Sequence, residues 1–329
     1  MSLARKDLLI VVPCLNEEQH LPDLLAQLRA DSPGALIVVA DGESHDRSRA
    51  IVMEFAADDP EIVLLDNPDR IQSAGINRSV AAHGAGRKWL LRIDAHCDYP
   101  PGYAAGLLAA AREHNATSVV VPMVSRGLGC FQRAAAAAQN SVLGTGGSPH
   151  RQAAGGHLGQ GKFVDHGHHA LMRLDLFSGV GGYREDMGHN EDAELDLRLA
   201  AAGARIWLEP GQAITYYPRA DAAGLWRQYL GYGTGRARTL MLHRRRPKLR
   251  QIAPLAVPGA VVLAVFAPLA PVLAVPLLSY VLLTLGGGLV VGRRTGGGCA
   301  LLCGVPAMIA HLAWGLGFLR GLARPLPCP

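Results

Sequence analysis

Leu8-Leu-Ile-Val-Val12-Pro13-Cys-Leu-Asn16-Glu17 is an apolar, β-rich run that passes at once into polar residues. The same step recurs twice. Leu36-Ile-Val-Val-Ala40 leads into Asp41-Gly-Glu-Ser44-His-Asp46, and Trp89-Leu-Leu-Arg-Ile93 leads into Asp94-Ala-His96-Cys-Asp98. Residues 62–65 (IVLL) and 118–122 (SVVVP) are further short runs of this kind. Between them the period changes: Leu21, Leu24, Leu25 and Leu28 repeat at helical spacing, and 103–113 (YAAGLLAAARE) is a good helix former. Strands alternating with helices predict a mostly parallel sheet covered on both faces. Ligands of such sheets bind beyond the carboxyl ends of the strands. The three polar clusters are therefore expected to converge on one edge.

The 329 residues allow one large or two modest domains. The formal charge of +5 hides an asymmetry, because no Asp or Glu follows Asp221. Residues 1–221 hold 27 acids against 20 bases, and the remainder holds 12 bases and no acid. This is an acidic globular part followed by a basic, apolar tail, which is unlike a diffuse nucleic-acid-binding surface. The 49% apolar content excludes disorder, and no sustained repeat supports collagen or a coiled coil. Six scattered cysteines without a CxxC pair argue against a zinc site and against a disulfide framework. Leu8–Val12 is too short for a signal sequence, so the N-terminal part is expected to stay in the cytoplasm.

From Arg250 the character changes. Residues 251–292 carry no charge, Arg293 and Arg294 interrupt, and a second uncharged stretch runs to Phe318. A helix needs about 20 apolar residues to cross hydrocarbon. Pro268, Pro271 and Pro276 mark bends, which suggests spans near 252–271, 274–292 and 298–319. The basic run 243–250 (HRRRPKLR) is expected at the inner membrane face, beside anionic lipid. The domain reading is a catalytic domain over 1–240, a basic juxtamembrane segment over 241–251, a transmembrane region over 252–319 and a tail over 320–329.

Several clusters carry chemistry. Asp41 at a strand end suits ribose hydroxyls or a base edge, although a strand-end Asp-Gly is also a common turn. Asn16 fits either a polar site or a helix N-cap. Asp94 followed by His96 can hold a divalent cation through one oxygen and one imidazole nitrogen, which would bridge a diphosphate. His166, His168 and His169 have no fourth ligand at helical or hairpin spacing, so zinc is disfavoured there. In Asn190-Glu191-Asp192-Ala-Glu194-Leu-Asp196 four acids open a helix, more than the macrodipole requires. One of them can act as general base. Glu194 and Asp196 are expected on a solvated face or paired with Arg198.

In this order the pieces resemble the family 2 inverting glycosyltransferases of GT-A fold, an α/β class with a Rossmann-like mixed sheet. The resemblance rests on Pro13-x-x-Asn16-Glu17, Asp41-Gly-x-Ser44-x-Asp46, Asn67-Pro…Ala74-Gly75-x-Asn77, Asp94-x-His96 and Glu191-Asp192, spread over residues 8–240. The wording of 144–238 (LGTGGSPHR, VDHGHHALMR, VGGYRE, NEDAELDLRL, RIWLEP, YGTGRART) is similar more narrowly to the ExoA-like, succinoglycan-type glucosyltransferases.

What the resemblance implies is specific. Pro13, Asn16, Glu17, Asp41, Arg70, Asn77 and Asp94 belong to the nucleotide-sugar site, Asp94 and His96 to the metal, and Asp192 is the general base. Glu191, Arg236 and Arg238 are assigned to the acceptor and diphosphate side. His96 stands where the family's DxD motif has its second carboxylate, which suits Mn²⁺ better than Mg²⁺, and Asp98 can supply the missing oxygen. Where processive relatives carry QxxRW, this chain reads Gln228-Tyr-Leu-Gly231-Tyr232, which disfavours a long-chain synthase. The implied activity is transfer of one sugar, glucose from UDP-glucose, to a lipid-linked saccharide at the inner membrane in exopolysaccharide assembly, with no nucleic-acid partner. Two other readings are transfer to a polyprenyl phosphate, and a membrane-anchored binding protein with a degenerate donor site.

Overall fold

The computed structural model describes residues 5–147 and 160–324. The end of the LGTGGSPHR stretch and residues 325–329 of the tail lie outside the described residues. The described chain forms two compact units, one from residues 5–123 and 160–215, the other from 124–147 and 216–324. Residues 124–147 and 216–240 thus pack with the C-terminal helices, although they lie inside the segment 1–240.

The first unit is built on an eight-stranded sheet. Its strands are β1 (Leu8–Cys14), β2 (Leu36–Asp41), β3 (Ile62–Asp66), β4 (Trp89–Arg92), β5 (Ser118–Val121), β6 (Lys162–Phe163), β7 (His168–Arg173) and β8 (Ile206–Leu208). Their order across the sheet is β3-β2-β1-β4-β7-β5-β8-β6. β1 pairs in parallel with β2 and β4, and β2 in parallel with β3. β7 is antiparallel to both of its neighbours, so the sheet is mostly parallel, as the alternation predicts, and mixed, as the resemblance implies. The reason is that β7 enters from a segment remote in sequence and slots between β4 and β5.

β1 and β2 are buried along almost their whole length, as expected for central strands covered on both faces. On one face Leu9, Val11, Leu36, Val38 and Leu90 meet Ile76, Phe177, Leu195 and Leu199 in a single core cluster. The helices Gln72–His83 and Glu191–Ala201 are held by this cluster. Leu195 and Leu199 are fully buried, at about 1.5–3 kcal/mol of transfer free energy each. They anchor the helix so that its acidic first turn falls at the carboxyl end of β4.

The second unit is helical. The helix Ala222–Leu242 is capped by Asp221, whose side chain accepts from Gly224 N at 2.6 Å. It packs along Gly304–Ala323, where Thr234 Oγ1 donates to Gly317 O at 3.0 Å. The approach is close enough that a Cβ on Gly233 would meet Trp314 O at 2.1 Å, and one on Gly317 would meet Leu230 O at 2.1 Å. The helix Cys130–Gln139 lays Ala137 and Ala138 against Ala300, Cys303 and Ala307. A disulfide joins Cys130 to Cys299, with Cα atoms 5.2 Å apart. Scattered spacing argued against disulfides, and the bridge corrects that expectation. Pairing across 169 residues leaves no local spacing signal to read.

Two C-terminal helices are long and apolar enough to cross a membrane, Pro271–Thr295 and Gly298–Ala323. The segment 252–271, expected as one of three spans, instead falls mostly in a shorter apolar helix, Leu249–Val265. Pro254 and Pro258 lack amide hydrogens and turn part of the stretch into a 3-10 turn, and Pro268 lies just past its end. From Leu249 to Val265 the helix rises about 25 Å, short of the roughly 30 Å of hydrocarbon.

Candidate active site

Because β1, β2 and β4 run parallel, Asn16, Asp41 and Asp94 emerge on one edge of the first unit. The loops after β1 and β2 are laced together by side chain to main chain bonds. Asn16 N donates to Ser44 Oγ at 2.9 Å, and His45 N donates to Asn16 Oδ1 at 2.8 Å. Glu17 N donates to Ser48 Oγ and Glu18 N to Asp46 Oδ2. Asn16 takes a left-handed φ of 57°, which its short polar side chain tolerates. Asn16 therefore braces the loop over Asp41.

Asp41 is 1% exposed. Its Oδ2 accepts from Ser44 N at 3.1 Å and from Arg49 Nη1 at 2.8 Å. Its Oδ1 is buried with no hydrogen-bond partner among the described residues. An unmet buried carboxylate oxygen is costly unless a ligand donor meets it. Arg49 is shared with Asp66, at 2.8 Å. Arg70, also at positive φ, pairs with Glu43. Pro13 sits half-buried in β1, opposite Ala40.

The densest charge cluster surrounds Arg92, the last residue of β4. Its Nε lies 3.1 Å from Asp94 Oδ1, its Nη1 2.5 Å from Asp192 Oδ1 and 3.2 Å from Tyr183 Oη, and its Nη2 3.9 Å from Glu191 Oε1. Gln72 Nε2 also donates to Asp94 Oδ1, at 2.7 Å. Tyr183 donates its hydroxyl to Asp192 Oδ1 at 2.9 Å. Burial alone pushes the Asp94 carboxyl up. Arg92, then His168 and His96, outweigh it and hold the group well below the usual carboxylate range. Glu191 moves the other way, raised to about 7 by burial and by the adjacent Asp192 charge. Two neighbouring acids thus sit in opposite regimes, the usual signature of divided acid–base roles.

The metal reading was tested against the same geometry. Asp94 Oδ1 is engaged by Arg92 and Gln72, whereas Oδ2 faces His168 Nε2 at 3.6 Å. His96 lies two residues beyond Asp94, and its Nδ1 is 3.0 Å from Glu17 Oε1. Among the described residues no three His, Cys, Asp or Glu side chains form a ready-made metal cage. A carboxylate and an imidazole at one strand end nonetheless suit an ion that takes its remaining ligands from substrate phosphates. On that test the residues fit.

Asn77 stands apart from this edge. Its side chain brackets Tyr183, accepting from the amide at 2.9 Å and donating to the carbonyl at 2.8 Å, and also donates to Glu185. Gly182, at φ 68°, makes room for this, since a Cβ there would lie 2.4 Å from Asn77 Oδ1. Asn77 thereby fixes the loop that presents the Tyr183 hydroxyl. Arg236 and Arg238 lie on the Ala222–Leu242 helix of the second unit, both half-buried. Of the two expectations for Glu194 and Asp196, the solvated face is corrected, since both are buried, and the pair with Arg198 is found at Glu194. Glu194 grips Arg198, which also donates to Val180 O and Gly182 O, and Asp196 accepts from Gly167 N. The helix packs over the sheet on a wider face than its leucines alone define.

Sequence reasoning passed over Arg92, Tyr183, Gln72 and Arg49. Only Arg92 carried a signal, a charge inside the apolar run Trp89–Ile93. The site role of His168 was hidden by reading the histidines as a set.

The comparisons say which class of protein carries this fold and this charged strand edge. The model of the family described as glycosyl transferase family 2 matches residues 9–181. The chain belongs to that family and is a glycosyltransferase. It is 48% identical over 318 residues to the succinoglycan biosynthesis protein ExoA of Rhizobium meliloti (strain 1021), covering 95% of this chain and 94% of that one. Among solved structures it is similar to the mannosyltransferase PcManGT from Pyrobaculum calidifontis, in complex with GDP-Man and Mn²⁺. The TM-score is 0.59 and the identity 17%, over 96% of this chain and 87% of that one.

Proposed function

We propose that this glycosyltransferase moves one glucose from UDP-glucose, with inversion, onto a lipid-linked saccharide in succinoglycan-type exopolysaccharide assembly. The observation that carries the reading is the placement of Asp94 and Asp192 on one guanidinium, at the carboxyl edge of the sheet. Asp94 faces the donor and Asp192 the acceptor. The acceptor hydroxyl attacks C1 of the sugar, Asp192 takes its proton, the bond from C1 to the diphosphate oxygen breaks, and nucleoside diphosphate leaves. The orphan Oδ1 of Asp41 accepts an N–H from the base, with Asn16 and Glu17 bracing its loop and Arg70 beside it, while Asn77 acts indirectly by fixing the Tyr183 loop. Asp94 and His96 would hold a divalent cation, Mn²⁺ or Mg²⁺, whose charge supplies stabilisation of the diphosphate.

The pathway is supported by the likeness to the succinoglycan biosynthesis protein ExoA, and the sugar by the resemblance of residues 144–238 to succinoglycan-type glucosyltransferases. Attachment to the inner membrane, with the catalytic unit on the cytoplasmic face, is supported by the two long apolar helices and by exposed leucines such as Leu269, Leu282 and Leu283. The basic run 243–250 supports the same reading. The resemblance assigns Arg236 and Arg238, on the helix Ala222–Leu242, to the acceptor's lipid phosphate.

The test is release of nucleoside diphosphate by full-length protein in detergent, from a panel of nucleotide sugars with Mn²⁺. Slow UDP release from UDP-glucose above the other donors is expected. No release from any donor points to a degenerate binding protein. Chelator is expected to abolish turnover, and His96→Ala to weaken nucleotide binding by at least about tenfold, measured calorimetrically in Mn²⁺. Full activity in excess chelator removes the metal assignment.

A further inference from the structure

Arg92 occupies a position where a central strand ordinarily carries an aliphatic residue, in register with Val11 of β1. Its side chain is 4% exposed. A buried ion pair is a poor device for stability, since a well-packed apolar side chain usually serves as well or better. The charge here has another use. Three guanidinium nitrogens face three carboxylates, and those carboxylates come from two remote parts of the chain: Asp94, two residues on, and Glu191 with Asp192, a hundred residues on.

The geometry assigns a division of oxygens. Arg92 takes Oδ1 of Asp94 and Oδ1 of Asp192, and Tyr183 adds a second bond to the latter. The opposite oxygens both turn toward His168. Its Nε2 is 3.6 Å from Asp94 Oδ2, and its Nδ1 is 3.9 Å from Asp192 Oδ2. Gln72 helps to hold Asp94 and Tyr183 helps to hold Asp192, but the planar fork alone touches both carboxylates and so sets the gap between them. A lysine ammonium is a point charge that cannot hold two carboxylates in a fixed plane.

We propose that Arg92 is a positioning residue for the transfer step: it fixes Asp192 against the donor-holding Asp94, so that proton acceptance is aligned with attack at C1. The proposal rests on Asp192 being the general base.

The test is a double-mutant cycle of Arg92→Lys with Asp192→Asn in the full-length enzyme, reading kcat, donor KM, nucleotide affinity and thermal midpoint. Arg92→Lys is expected to lower kcat by about 10²-fold, the cost of a misplaced catalytic group, with donor KM within about threefold of the parent. In the Asp192→Asn background the same change should have little further effect, within about twofold, because the group it positions is already disabled. A purely structural role would lower the thermal midpoint while leaving the kcat effects multiplicative. Near-parental kcat in Arg92→Lys, or losses that multiply across the cycle, overturn the assignment of Arg92 alone. Near-parental turnover in Asp192→Asn overturns the base, and with it this role. If Arg92→Lys does not fold, Arg92→Gln combined with Asp192→Asn removes the opposed charges together. That double variant should match Asp192→Asn, and a further tenfold loss overturns the proposal.

Discussion

Asp192→Asn lowers sugar transfer by about 10²–10⁴-fold, the range expected for loss of a general base, and leaves nucleotide affinity nearly unchanged. The substitution keeps the volume and can still accept from Arg92 and Tyr183, so the surrounding geometry survives. What it removes is the negative charge that takes the acceptor's proton. Glu191 provides the contrast. Raised to about 7, it is about half protonated at neutral pH, and its neutral form is a poor base. Glu191→Gln mimics that neutral form and should cost less than about tenfold at or below pH 7. Steady-state transfer to a saccharide acceptor, measured beside calorimetric UDP binding, separates the two. If Glu191→Gln abolished turnover while Asp192→Asn spared it, the base would be Glu191.

Gly233→Val and Gly317→Val each destabilise the second unit by about 3 kcal/mol or more. At both positions the new Cβ falls 2.1 Å from a carbonyl oxygen of the facing helix, and backbone cannot swing aside as a flexible side chain would. The helices must separate, which also breaks the bond from Thr234 to Gly317. For a unit of this size the thermal midpoint should fall by roughly 6–12 °C in detergent. Gly259→Ala and Gly286→Ala are the controls, since a Cβ at either position meets nothing within 4 Å. Equal midpoints for all four variants would mean that the helix contact contributes little.

The core of the fold was legible because central strands must be apolar on both faces, and β1 and β2 are apolar almost throughout. Their polar exits located Asp41 and Asp94. β7 was not legible as a strand, since its opening histidines read as ligands and its neighbours in the sheet lie far away in sequence. The acidic helix start was legible as chemistry but not as geometry. Four acids in six positions look alike in sequence, and only packing separates Asp192 at the edge from Glu194 and Asp196 beneath it. Arg92 shows the limit most plainly. Its charge is visible in the strand, but partners a hundred residues away can be seen only once the chain is folded. The proline-broken segment after Arg250 reads as apolar by composition, and helix length depends on where amide donors are missing.

The second unit draws its residues from two distant stretches, and this imposes an order on biosynthesis. Cys130 and the alanines behind it leave the ribosome early, yet the surface they pack on, around Cys299, is 169 residues further along the chain. At translation speeds of 5–20 residues per second, that surface is made on the order of 10–30 s later. The eight-stranded sheet of the first unit has all its strands by Leu208 and can close meanwhile. The segment 124–147 must wait as an unpacked insertion until the last helices arrive.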